Sequence, residues 1–118
     1  MREAKAKLLR VFVGEGEKAR HRLLYEVVVR EAWDAGMAGA TAWRGIMGFG
    51  GGSKVIHTAK LLDLSAELPV VVEIVDEAEK VERFARRLVE LFEREGYGGL
   101  VTIEDAKVLL YRSGEEGG

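Results

Sequence analysis

The chain has 118 residues, a formal net charge of −2 and 47% hydrophobic residues, enough for one domain to bury a core without metal or disulfide staples. No basic stripe stands out, which argues against nucleic acid as the main partner. The absence of Cys removes disulfides, thiolate nucleophiles and Cys-ligated zinc together.

Lys7 to Gly14 (KLLRVFVG) is β-branched and aromatic and stops at a glycine, which predicts a strand. His21 to Ala35 carries Leu23, Leu24, Val27, Val28 and Ala32 at the spacing of one helical face, with Gly36 at the stop. Gly39 to Gly45 (GATAWRG) reads as a second strand running into a glycine-rich stretch at Gly48 to Gly52. Between Ser53 and Glu67 the pattern is weak, with a short helical turn expected around Leu61. Pro69 opens the clearest strand, Val70 to Val75, because proline is tolerated at a strand's first residues.

Asp76 is expected to begin a helix, with Glu79 three residues on as capping-box partner. Its apolar stripe is Val81, Phe84, Ala85, Leu88, Leu91 and Phe92. The turn at Gly96 to Gly99 leads to a last strand region, Leu100 to Tyr111, and the tail Ser113 to Gly118 is expected to fray.

The order β-α-β-β-α-β predicts an α+β fold, a ferredoxin-like sandwich with both helices on one face of an antiparallel sheet. One domain spans the chain, with its core at about residues 7–111. The other sheet face should be polar in a monomer, alternating with the core face. Instead Leu8 adjoins Leu9, Val71 lies between Val70 and Val72, and Leu109 adjoins Leu110. A second apolar face of that size is a liability if left open. It predicts burial against other subunits.

The longest uncharged apolar runs, such as Leu68 to Val72, are far short of the roughly 20 residues that span a bilayer. Met1 to Leu9 is rich in charge and unlike a signal peptide. The expectation is a cytoplasmic protein with no direct membrane insertion. The chain also lacks Asn and Gln while 32% of it is charged, the pattern of a thermophilic source.

Two glycine-rich segments are candidate anion nests. The first, Gly45 to Gly52, is flanked by Arg44 and Lys54. A P-loop requires a lysine in a place where Gly48 to Ser53 has none, so that motif fails. The second is Gly96-Tyr97-Gly98-Gly99, which as pattern alone is a helix cap and a tight turn. His21 and His57 lack metal-ligand spacing, so no metal site is expected. His57, Glu73 or Glu104 could act as a base, but no nucleophile accompanies them, so no catalytic residue is assigned. Trp33 and Trp43 are expected to pack or to lie in an interface.

The string Gly39 to Ser65 (GATAWRGIMGFGGGSKVIHTAKLLDLS), followed by Leu68 to Asp76 (LPVVVEIVD), resembles the PII-like proteins of domain-of-unknown-function family 190. The resemblance covers about Lys7 to Tyr111. That family is similar in turn to the PII nitrogen-regulatory proteins, ferredoxin-like trimers that bind adenine nucleotides between subunits and signal through a long T-loop. Gly48-Phe49-Gly50 resembles the G-F-G at the start of that loop, and Glu73-Ile74-Val75 the E-I-V of the third strand. Gly96-Tyr97-Gly98-Gly99 takes the place of the G-D-G-K phosphate-binding B-loop, with Tyr97 and Gly99 replacing its acidic and lysine residues.

The resemblance implies a homotrimeric, non-enzymatic regulator that binds ATP, ADP or AMP in inter-subunit clefts. Arg44, Gly45, Gly48, Phe49, Gly50, Glu73, Gly96, Tyr97, Gly98 and Gly99 are its implied ligand-binding residues. A T-loop at about residues 44–60 would contact an unidentified regulated protein. The alternative is a CutA-like structural or adaptor trimer without nucleotide binding. An acylphosphatase-type hydrolase shares the fold but uses an Asn, which this chain lacks.

Overall fold

A computed structural model of the chain describes residues 5–50, 57–58 and 67–114. In chain order the elements are β1 (Lys5–Gly14), β2 (Lys18–Ala19), β3 (Arg22–Leu23), α1 (Leu24–Asp34), β4 (Thr41–Arg44), β5 (Met47–Gly48), β6 (His57–Thr58), β7 (Pro69–Glu77), α2 (Ala78–Glu95) and β8 (Leu100–Lys107). Four strands form one sheet in the order β4-β7-β1-β8, and every neighbouring pair is antiparallel. This is the ferredoxin-like arrangement. β2 with β3 and β5 with β6 are two-stranded additions outside that sheet.

The core follows from strand alternation. Leu9, Val11 and Val13 of β1 and Val70, Val72 and Ile74 of β7 are buried, one face of the two central strands. Leu24, Val28 and Ala32 of α1 and Val81, Phe84, Ala85, Leu88 and Phe92 of α2 close over them. A large aliphatic or aromatic side chain moved fully out of water contributes about 1.5–3 kcal/mol. The predicted stripe of α2 is therefore the packed one, with Leu91 at its partly buried edge.

Both helices end on the same device. Met37 donates its N–H to the Ala32 carbonyl at 3.0 Å and Gly36 to that of Trp33 at 3.0 Å, a Schellman closure of α1. Tyr97 donates to the Phe92 carbonyl at 2.9 Å after Gly96, whose φ of 73° is the left-handed conformation glycine tolerates best.

Three expectations need correction. The first helix starts at Leu24 and not His21, because Lys18 to Leu23 fold into a small hairpin around Arg20, which sits at φ 62°. β7 continues through Asp76 to Glu77, so Asp76 does not cap α2; its Glu77 N-cap makes no side-chain hydrogen bond. The buried Asp76 carboxylate accepts the N–H of Ala38 at 2.8 Å and that of Glu77 at 2.7 Å. Lastly, β8 ends at Lys107, which leaves Leu109 and Leu110 exposed in an irregular segment and not on strand faces. The turn expected around Leu61 lies outside the described residues.

The outer face of the sheet carries Leu8, Arg10 and Phe12 of β1, in register with Val75, Glu73 and Val71 of β7. Trp43 of β4 and Leu100 of β8 extend the Phe12–Val71 row and are more than half exposed. Trp33, at the end of α1, is 80% exposed and packs on nothing in this chain's core.

Candidate functional site

The end of β1, the start of β7 and the entry to β8 meet at a pocket of about 200 Å3. Gly14 pairs with Pro69 and Phe12 with Leu100 across the sheet, so ladder register brings these three segments together. The chain leaving β5 adds Gly48, Phe49 and Gly50. Phe12, Phe49 and Leu100 give the pocket apolar walls, and Phe49 stands 68% exposed at its side. Gly99 is the tightest point. A Cβ there would come within 2.9 Å of the Phe12 carbonyl oxygen and 3.1 Å of the Phe92 ring, so the wall admits no side chain.

Two carboxylates, Glu17 and Glu67, line the same pocket, and none of its described lining residues is basic. Burial pushes the Glu17 carboxyl above the usual range; a Gly14 backbone hydrogen bond opposes this and the charge of Glu67 adds to it. Neither residue stood out in the sequence. The glycine–acid alternation of Gly14-Glu15-Gly16-Glu17 directly after a strand was the available signal.

The implied site residues divide into four groups, of which Glu73 is one by itself. Gly48, Phe49, Gly50 and Gly99 line this one pocket although some 50 residues separate the two loops. Arg44 and Gly45 flank it: the Gly45 N–H donates to the Pro69 carbonyl at 2.7 Å, and Arg44 Nη1 donates to Glu15 Oε2 at 3.1 Å. Gly96, Tyr97 and Gly98 are absent from the described lining. Tyr97 packs edge-on against Phe92, ring centroids 5.7 Å apart, the contact that accompanies a Schellman cap.

Glu73 belongs elsewhere. It lies on the outer face, in a shallow groove of about 420 Å3 with Trp43, Val75 and Tyr111. Its Oε2 accepts from Arg10 Nε at 2.9 Å and its Oε1 from Trp43 Nε1 at 2.6 Å. Arg10 also pairs with Glu104. Tyr111 closes the groove, its hydroxyl donating to the Ala38 carbonyl at 3.2 Å. Among the described residues no cluster of His, Asp or Glu could hold a metal ion, and no helix is long and apolar enough to cross a membrane.

This architecture is that of the PII-like proteins. CPII, a nitrogen regulatory PII-like protein of Thiomonas intermedia solved with ADP, AMP and bicarbonate, matches with a TM-score of 0.63 at 19% identity, over 91% of each chain. A candidate PII-like signalling protein of Thermus thermophilus matches with a TM-score of 0.63 at 21% identity, over 92% of this chain and 94% of that one. At such identities the likeness is one of fold. The chain itself belongs to the DUF190 family (Uncharacterized ACR, COG1993), whose model matches residues 6–108. A UPF0166 protein of Aquifex aeolicus is 40% identical over 109 residues, 92% of this chain and 98% of that relative. A UPF0166 protein of Methanocaldococcus jannaschii is 33% identical over 104 residues, covering 88% and 92%.

Proposed function

We propose that this chain is a PII-like regulatory protein of the cytoplasm, without enzymatic activity, that binds an adenine nucleotide (ATP, ADP or AMP). It works as a homotrimer, with the nucleotide in clefts between subunits. The observation that carries this reading is the meeting of the Gly48–Gly50 and Gly99 segments around one pocket with aromatic walls. Aromatic side chains give a base a stacking surface, and glycine backbone lets phosphate oxygens approach N–H groups.

The residues fit such a ligand in one orientation. The apolar walls and the carboxylates suit a nucleoside, whose amino and hydroxyl groups are hydrogen-bond donors. The phosphates suit the rim, where Arg44 is placed. Ligand pockets usually measure about 300–1,000 Å3. A cavity of about 200 Å3 encloses part of a nucleotide, which is consistent with a second wall from a neighbouring subunit. The mixed outer face of apolar residues around Arg10 and Glu73 is the surface such a neighbour would bury.

Signalling would run through the T-loop, about residues 44–60, of which 51–56 and 59–60 lie outside the described residues, offered to or withheld from a regulated protein according to occupancy of the pocket. Titration calorimetry against ATP, ADP and AMP tests the reading. About one site per subunit, weakened by Arg44→Ala, supports it. Absence of binding to all three overturns it and leaves an adaptor trimer as the better account.

A further inference from the structure

We propose that Glu15 is a built-in competitor for the nucleotide's phosphate: it holds the Arg44 guanidinium in the ligand-free chain and yields it on binding. This rests on the reading that the glycine-walled pocket takes an adenine nucleotide. The geometry begins with the sheet. β1 and β4 are the two neighbours of β7, and Glu15 and Arg44 stand where those strands reach the start of β7.

The backbones on both sides are fixed to that start. Glu15 donates its N–H to the Leu68 carbonyl at 2.8 Å, and Gly45 donates to that of Pro69 at 2.7 Å. With the main chains held, Arg44 Nη1 reaches Glu15 Oε2 at 3.1 Å. Glu15 adjoins Gly14, and Arg44 adjoins Gly45, which rests on Pro69; Gly14 and Pro69 both line the pocket. The ion pair therefore lies beside the pocket, on segments that adjoin its wall.

Charge decides where an anion can go. Along the pocket lining a phosphate would meet Glu17 and Glu67, and no basic side chain among the described lining residues offsets them. Partial burial and the neighbouring Glu67 charge raise the Glu17 pKa, so the lining at that point disfavours a further negative charge. The phosphate is drawn instead to Arg44, whose planar fork suits phosphate oxygens. Arg44 is already engaged, so binding requires an exchange of partners.

The exchange is feasible because the pair is partly solvated, with side-chain exposures of 64% for Arg44 and 29% for Glu15. Such pairs hold loosely and are readily exchanged. Loss of the pair removes the side-chain tie between the turn after β1 and the end of β4, next to where the Gly45–Gly50 segment departs, while the backbone bonds to β7 remain. Occupancy of the pocket is thereby coupled to the base of the loop.

Calorimetric titration of ADP and of adenosine into wild-type protein, Glu15→Gln, Arg44→Ala and the double variant tests this. Glu15→Gln keeps the side-chain size and removes the competing charge. It is expected to bind ADP about two- to fivefold more tightly, the scale of a partly exposed ion pair. That gain is expected to vanish in the Arg44→Ala background and for adenosine, which has no phosphate. Wild type binding ADP with Glu15→Gln equal or weaker overturns the proposal alone. An equal gain for adenosine also overturns it, by assigning the effect to something other than phosphate. Wild type failing to bind ADP overturns the pocket reading and this proposal with it.

Discussion

The indole N–H of Trp43 donates to one carboxylate oxygen of Glu73 at 2.6 Å, while the other oxygen holds Arg10 at 2.9 Å. Three strands of the outer face are thus pinned by one carboxylate, with Leu8, Phe12, Val71 and Val75 around it. Arg10 is shared by two carboxylates, Glu73 and Glu104, so a neighbouring subunit that buries this face has one negative charge to match or to leave at the edge of the contact.

Arg10→Ala exposes the difference between a buried and a solvated outer face. It leaves Glu73 and Glu104 on either side of β1 without their shared cation. In a trimer that buries this face, the assembly constant is expected to fall about tenfold or more. On a solvated face the change is within about fivefold. Sedimentation velocity over a dilution series distinguishes the two, and an assembly constant that Arg10→Ala leaves equal to wild type contradicts the burial of this face.

Asp76 is expected to be the most consequential buried carboxylate. Burial raises its pKa, but the Glu77 and Ala38 N–H groups and the Lys80 charge outweigh that and hold it below the ordinary carboxylate range. A folded-state pKa below the unfolded value, about 3.9, means a stabilising contribution that is complete above pH 4 and lost as the pH falls through the folded value. Asp76→Ala leaves the Ala38 N–H without its acceptor and is expected to cost about 1–3 kcal/mol at neutral pH. Urea unfolding at pH 7 and pH 3 checks both, since the wild type's advantage over the variant should shrink in acid.

Much of the scaffold was legible in the sequence because its signals are local. The Val70–Val75 run is marked as strand by its β-branched residues, and the Val81-Phe84-Ala85-Leu88-Phe92 stripe carries the helical period that the structure buries. The failures arise where tertiary contacts override pattern. Asp76 with Glu79 has the spacing of a helix cap, yet the Ala38 N–H and Lys80 claim the Asp76 carboxylate and the backbone stays extended to Glu77. The Lys18–Leu23 hairpin carries no repeat long enough to announce itself.

The site was legible only in part, for a different reason. Gly48–Gly50 and Gly99 were singled out as separate loops, and the fold brings them to one pocket, where Gly48 approaches Pro69 and Gly99 approaches Phe12. Glu17 and Glu67 join it from 50 residues apart through the Gly14–Pro69 pairing, which no spacing rule encodes. Tyr97 falls in a loop with a ligand-binding counterpart, while its ring packs on Phe92.

Gly99→Ala is expected to be disproportionately costly for so small a change. The new methyl would meet the Phe12 carbonyl at 2.9 Å and the Phe92 ring at 3.1 Å, so β8 must shift away from β1. Overpacking of this kind costs about 1–3 kcal/mol. Thermal unfolding should show a lower Tm, and nucleotide affinity should fall with it.

Phe49→Ala separates ligand contact from folding. Phe49 is 68% exposed and belongs to no part of the core, so Tm is expected to stay within about a degree or two of wild type. A lost base–aromatic stack is expected to weaken ADP about tenfold. Calorimetry beside a thermal melt checks this; unchanged affinity would remove Phe49 from the site.

The central claim is that the pocket joining Gly48–Gly50 to Gly99 takes an adenine nucleotide, and amide NMR during an ADP titration tests it most directly. Glycine amides fall in a sparse region of the spectrum, so Gly48, Gly50 and Gly99 can be followed against Gly36, which lies at the far end of α1. Saturable shifts of the three pocket glycines, with Gly36 unmoved, are the predicted result. A titration that leaves all three in place, or that moves only residues outside this pocket, contradicts the account.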